Sequence, residues 1–132
     1  MKPQTGRLLE KASRAVRSAK SLLAERDMDA AANRSYYAAF YAAQALLYEK
    51  GLTFRRHRGV HSAFAEHFIK TRALDPKFHR WLLDAFDKRL QGDYGVEAVL
   101  NGEDVSAMIA QASELLQAAS ELLSKGGTER HA

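Results

Sequence analysis

Arg89, Asp93 and Tyr94 close the run "FHRWLLDAFDKRLQGDY", and their spacing is the first sign of chemistry in the chain. On a helical wheel centred on Phe78, the side chains of Trp81, Leu82, Ala85 and Phe86 gather on one face. Arg89 falls in the middle of that face, while Arg80, Asp84, Asp87 and Lys88 point away. A guanidinium aimed inward needs acceptors, because an unpaired buried charge is strongly destabilising. Two arrangements answer that need. One is an internal ion pair with Asp93, four residues on. The other is a phosphate on the floor of a cleft, which the planar fork of an arginine matches. The helix is expected to run to about Leu90 and to break near Gly92, so the pairing with Asp93 is not assured by spacing.

A second chemical face lies in "NRSYYAAFYAAQALLYEKG", residues 33–51. Between Ser35 and Tyr48 it carries no charge, four tyrosines and one glutamine. At 100° per residue it divides into three arcs. Tyr36, Ala39, Phe40, Ala43, Leu46 and Leu47 form an apolar arc. Ser35, Ala38, Ala42 and Ala45 form an arc of small side chains that lets another helix come close. Asn33, Tyr37, Tyr41, Gln44 and Tyr48 form a polar-aromatic stripe. A helix without a charged arc is surrounded by other helices. The stripe has two readings: tyrosines that fill space and bond to nearby carbonyls, or rings and hydroxyls lining a cleft.

His57, His61 and His67 are the remaining candidates. His57 is read as part of a basic loop, "LTFRRHRGV"; cysteine is absent and no H-E-x-x-H pattern occurs, so no metal site is expected. There is no glycine-rich phosphate loop and no serine nucleophile elbow. A helix-turn-helix is disfavoured, because the helix before the basic segment is too long and too apolar for that motif.

The elements that must position these residues are all helical. With 132 residues the chain is one domain by length, able to bury roughly two-thirds of its unfolded surface without disulfides. The lack of cysteine fits a reducing cytoplasm. Neither a signal peptide nor a membrane span is read in it. The net charge of +4 is uneven. Residues 1–26 hold seven basic and two acidic side chains, residues 50–72 six basic and one acidic, and residues 90–124 six acidic and no lysine or arginine. Such asymmetry suits an anionic partner on one side and a basic one on the other.

Five helical segments can be traced. Thr5 is the expected cap of the first, and Gly51 the expected stop of the second. A shorter helix carries Val60, Phe64 and Phe68. Asp75 is read as N-cap of the fourth, with Pro76 at its first helical position. "QGDYGVEAVLNG" separates it from the last, capped by Asn101. The expected fold is all-α, an antiparallel up-down bundle of four to five helices over residues 1–125, with 126–132 as a frayed C-terminal tail.

Three pieces, "RSYYAAFYAAQALL", "HRGVHSAFAEHFIKT" and "RLQGDY", resemble the HEPN domain (higher eukaryotes and prokaryotes nucleotide-binding) in its small stand-alone prokaryotic branch. The resemblance spans about residues 27–94. It implies an all-α bundle that pairs into a homodimer, needs no cofactor, and often acts as a toxin beside a minimal nucleotidyltransferase antitoxin. Many members are metal-independent ribonucleases with an Arg, four to six residues, then a His, meeting in a dimer cleft. The His exchanges a proton with the ribose 2′-hydroxyl and the Arg steadies the phosphate.

Here Arg89 carries over, but the positions for the histidine hold Tyr94, Gly95 and Val96. The tyrosine's ordinary pKa of ~10 suits it poorly to the task. In some relatives the antitoxin attaches nucleotide to a tyrosine near the motif, close to where Tyr94 stands. The resemblance thus implies nucleotide or RNA binding at Arg89, with Asp93 and Tyr94 beside it in the motif, and the polar-aromatic stripe adds Asn33, Tyr37 and Tyr41 as cleft residues; cleavage is expected to be weak or absent. Arg89 and His61, an imidazole from the neighbouring helix, are the candidate catalytic groups. The alternatives are a divergent ribonuclease toxin and a bundle serving protein interaction alone.

Overall fold

A computed structural model of the chain describes residues 1–96 and 100–131, and the side chains of 1–96 and 100–126. The helices are α1 (Pro3–Ala24), α2 (Met28–Glu49), α3 (His57–Phe64), α4 (Lys77–Tyr94) and α5 (Gly102–His131); α3 continues through a π-helical turn, Ala65–Ile69. No strand occurs among the described residues, and the fold is an all-α antiparallel bundle. None of the described helices is long and apolar enough to cross a membrane. The expected tail at 126–132 falls largely on residues whose side chains lie outside the described ones.

α2 is the central element, packed against α1, α3, α4 and α5. Its apolar and small-residue arcs are buried throughout, whereas Asn33, Tyr37, Tyr41, Gln44 and Tyr48 are half-buried. One helix therefore supplies most of the core and, on its third side, a polar-aromatic wall. α2 begins with Asp27, whose carboxylate accepts from the Ala30 N–H at 3.3 Å. It ends at Gly51, φ 80°, where the Gly51 N–H bonds to the Tyr48 carbonyl and the Leu52 N–H to the Leu47 carbonyl, the left-handed C-terminal stop that glycine favours.

Three boundaries differ from the sequence reading. α1 starts at Pro3, not after Thr5; proline suits the first turn, where its missing N–H is not needed. Thr5 is fully buried and donates to Glu49 Oε1 at 2.8 Å, tying the start of α1 to the end of α2. His57 opens α3 and is not a loop residue.

α4 also passes Leu90 and Gly92 and ends at Tyr94. Gly92 marks a close approach rather than a stop: a Cβ there would come within 3.3 Å of Asp29 Oδ1 and 3.4 Å of Asp29 Cα on α2. At the other end of α4, Asp75 caps as expected, its carboxylate accepting from the Lys77 N–H at 2.9 Å, although regular helix begins one residue after Pro76. Asn101 caps α5 reciprocally: its Oδ1 accepts from the Asp104 N–H at 2.8 Å, and Asp104 Oδ2 accepts from the Asn101 N–H at 3.2 Å.

Candidate functional site

The continuation of α4 decides the site. Arg89 and Asp93 lie one turn apart on the same helix, and the antiparallel packing of α4 on α2 sets them against Asn33 and Tyr37. Arg89 Nε stands 2.8 Å from Asp93 Oδ2, with only 16% and 26% of the two side chains exposed. That oxygen also accepts from Asn33 Nδ2 at 3.1 Å. The terminal nitrogen of Arg89 donates to the Tyr37 hydroxyl at 3.3 Å. Arg34 joins through Asn33, whose Oδ1 accepts from its Nε and a terminal nitrogen at 3.3 and 3.2 Å. The guanidinium carbons of Arg34 and Arg89 lie 5.1 and 5.4 Å from the centre of the Tyr37 ring.

The pairing of Arg89 with Asp93 is incomplete. Arg89 Nε is buried, and its N–H meets no acceptor in hydrogen-bond geometry among the described residues, despite the 2.8 Å approach of the carboxylate. The contact is an ion pair with the N–H off the line to the oxygen. Arg89 contacts the carboxylate and Arg34 is held through the neutral Asn33 amide, so two guanidinium groups stand against one carboxylate in the cluster and leave spare donors.

Beneath it lies a second, neutral layer. The Tyr36 hydroxyl is 2.7 Å from His57 Nδ1 and 2.8 Å from His61 Nε2. A hydroxyl has one proton, so it donates to one ring and accepts from the other, which couples the two tautomers. Tyr36 is fully buried, His61 is 3% exposed, and His57 is half-buried, stacked on Phe40 with ring centres 4.4 Å apart.

Burial pushes the Tyr36 pKa far up. It lowers His61 to about 4, helped by His57, His79 and Arg58. His57 is also held below its ordinary value, by burial and then by the Arg89 charge. Both imidazoles are therefore neutral at pH 7. His57 is engaged through Nδ1, and its side chain as a whole is half-buried. His61 lines one wall of an open groove of about 390 Å³ between α3 and α4, together with Arg58, Ser62, His79, Leu83, Phe86 and Asp87.

Of the residues singled out from sequence, Asn33, Tyr37, Arg89 and Asp93 are brought into one network. Tyr41 extends it, its ring 5.7 Å from Tyr37, but the Lys11 ammonium lies 4.7 Å from its centre. Tyr94 is 74% exposed at the end of α4, and no described contact joins it to the others. His61 is buried beneath Tyr36, and the imidazole that feels the Arg89 charge is His57. Sequence reasoning missed Arg34 and the bridging role of Tyr36, and weighed His57 only as a metal ligand. The signal for the histidines was their spacing of four, which aligns them on one face once α3 starts at His57. Among the described residues no group of three or more His, Cys, Asp or Glu side chains is placed to hold a metal ion.

Comparison with known proteins agrees with this architecture. The HEPN domain model matches residues 5–124. UPF0332 protein glr0978 of Gloeobacter violaceus is 34% identical over 126 residues, covering 95% of this chain and all of that protein. A UPF0332 protein of Thermotoga maritima is 38% identical over 105 residues, 80% of each chain. A protein of Methanocaldococcus jannaschii named "Putative toxin MJ0142" is 31% identical over 108 residues, 82% of this chain and 74% of its own. With nearly all of its length matched by one family model, the chain belongs to the HEPN domain family.

Proposed function

We propose that this chain is the HEPN component of a toxin–antitoxin-like pair and that it binds nucleotide or RNA through phosphate contacts at Arg89 and Arg34. The observation that carries the reading is the half-buried cluster in which two guanidinium groups stand 5.1 and 5.4 Å from the centre of the Tyr37 ring, Arg89 paired with Asp93 and Arg34 bonded to the neutral Asn33 amide. Spare donors on a rigid helical floor suit a phosphate, and Tyr37 and Tyr41 offer rings on which bases stack. The toxin name of the Methanocaldococcus relative and the family membership support the wider role. In this reading the protein works in the cytoplasm as a homodimer whose Arg89 faces meet in a shared cleft, and its antitoxin partner is a minimal nucleotidyltransferase.

Fluorescence anisotropy with a mixed-sequence single-stranded RNA, beside thermal melting of the same samples, tests the site. Arg89→Ala is expected to weaken binding more than folding. Unchanged binding with a collapsed melting point would make Arg89 a structural ion-pair residue. Light scattering at micromolar concentration tests the dimer, and a monomer mass near the 14.7 kDa of one chain would overturn it.

A further inference from the structure

The polar-aromatic stripe of α2 does not end at the Arg89 cluster. Tyr37, Tyr41, Gln44 and Tyr48 fall within about 60° of one another around the helix, and all four are half-buried. Tyr37 is bonded to Arg89, and Tyr48 lies about 16 Å further along the axis at the α-helical rise. At that far end the stripe enters a pocket of about 230 Å³, walled by the start of α1 and by the segment between α2 and α3. Gln4 and Gln44 bring carboxamides to it and Tyr48 a phenol, while Leu8, Leu47 and Phe54 are among its apolar walls. The Phe54 ring is seated on Gly59 of α3, where a Cβ would come within 3.2 Å of it. Thr5 and Glu49, which bond across the ends of α1 and α2, are not part of the lining.

The lining sets what the pocket can take. None of its side chains is charged, so it holds no counter-charge for a phosphate or a carboxylate. Lys2 comes within 5.6 Å of the Tyr48 ring centre, but its ammonium donates to the Tyr48 carbonyl. A carboxamide presents a donor and an acceptor side by side, the pairing that complements the edge of a heterocyclic base. Among the described residues neither glutamine amide has a hydrogen-bond partner. Aromatic walls stack on any base, and the amides then discriminate among bases. The volume is below that of pockets for drug-sized ligands, which suits a single base.

We propose that this pocket receives one unstacked base of a single-stranded RNA, one of whose phosphates is held at Arg89. The α2 stripe is then a track between an anchor that binds every sequence and a pocket that prefers some bases. This rests on the reading that the Arg89 cluster holds phosphate. Tyr41 lies between the two ends, and the Lys11 ammonium 4.7 Å from its ring centre brings a further positive charge to the connecting backbone. At a stacked spacing of about 3.4 Å per nucleotide, about five nucleotides cover the distance, and fewer if the strand is extended. A duplex is excluded, because its bases are paired and stacked and cannot enter a pocket singly.

The test uses the full chain with four short single-stranded RNAs, each of one base type, and with the four free nucleosides, which carry no phosphate. At least one nucleoside is expected to shift the Gln44 side-chain amide in ¹H–¹⁵N spectra, in Arg89→Ala as in wild type. Gln44→Leu keeps the shape of the wall and removes the amide. By anisotropy it is expected to lose roughly five- to tenfold on the preferred RNA, to level the differences among the four, and to keep the salt dependence of wild type. Phe54→Ala is expected to lose roughly tenfold as a stacking wall is removed. Arg89→Ala is expected to weaken all four RNAs alike and to lower the salt dependence.

If no nucleoside moves the Gln44 amide, or if Gln44→Leu and Phe54→Ala both bind every RNA like wild type, the proposal is overturned, and the binding reading stands as long as Arg89→Ala is weakened. Arg89→Ala binding RNA like wild type overturns the binding reading instead, and the nucleoside shifts still decide whether the pocket takes a base.

Discussion

α2 carries a polar cluster at each end, and the two are built on opposite principles. At its C-terminal end Glu49 accepts from the Lys2 backbone N–H at 2.9 Å and from the buried Thr5 hydroxyl at 2.8 Å, while Lys2 Nζ donates to the Tyr48 carbonyl at 3.3 Å. A carboxylate meets donors there, and the result is a clasp that fixes α1 on α2. Near its N-terminal end, Asn33, Arg34, Tyr37, Arg89 and Asp93 gather with donors in excess, and one of those donors, Arg89 Nε, is buried without an acceptor in line. Both clusters lock antiparallel helices together, so a role in packing does not tell them apart. The difference lies in what is left over. A clasp that satisfies its own atoms has nothing to offer a ligand, whereas surplus guanidinium donors over an aromatic floor do.

The largest separation between the two ends is expected under acid. His57 and His61 lie beneath the Arg89 cluster, and no histidine lies in the Glu49 clasp. Facing His57 are Tyr36 and Tyr37 from α2, His61 from α3 and Arg89 from α4; facing His61 are Tyr36, His57, Arg58 and His79. Both imidazoles titrate below their ordinary value in the fold. Between pH 6.5 and about 4 the unfolded chain therefore binds protons that the folded chain does not. Stability is full above pH 6.5 and falls as pH drops through that window, by on the order of 3 kcal/mol for His61 alone at pH 4. Melting curves from pH 7 to 4 measure this, and His61→Gln is expected to flatten the fall. A wild-type melting point that does not move between pH 7 and 4.5 would contradict it.

Arg89→Ala comes next, with a loss of about 1.5–3 kcal/mol in RNA binding, roughly tenfold or more, and a smaller loss of stability. Thr5→Val is the mirror experiment. It leaves Glu49 one donor short, is expected to lower stability by about 1–2 kcal/mol in denaturant titration, and to leave RNA binding untouched. A binding defect in Thr5→Val would erase the distinction between the clasp and the site. The smallest effect is expected for Asp93→Asn. Removing the carboxylate frees guanidinium charge, so RNA should bind a few-fold tighter, by about 0.5–1 kcal/mol, with a steeper dependence on salt. Weaker binding would mean that Asp93 is needed to orient Arg89.

Periodicity was the reliable guide to the fold because a helix writes its surroundings into its sequence. The three arcs of α2 are two buried and one half-buried, as its spacing requires, and Asp75, Asn101 and Gly51 mark termini by local chemistry alone. The errors came where a residue serves another element. Thr5 resembles a cap but reaches across to Glu49, and Gly92 resembles a stop but makes room for Asp29. The inward arginine and the stripe of Asn33, Tyr37 and Tyr41 were likewise legible, since both follow from angular position on one helix.

By itself, then, the sequence determined the all-α bundle, the central helix and the arginine on an apolar face, because these depend on spacing within single helices. The tertiary structure alone decided which groups meet. It carried α4 past Gly92, so that Asp93 pairs with Arg89 and reaches Asn33, and it brought His57 and His61 onto the hydroxyl of Tyr36, more than twenty residues away in the chain. No helical period encodes such meetings, since they are fixed by how closely one helix can lie against another.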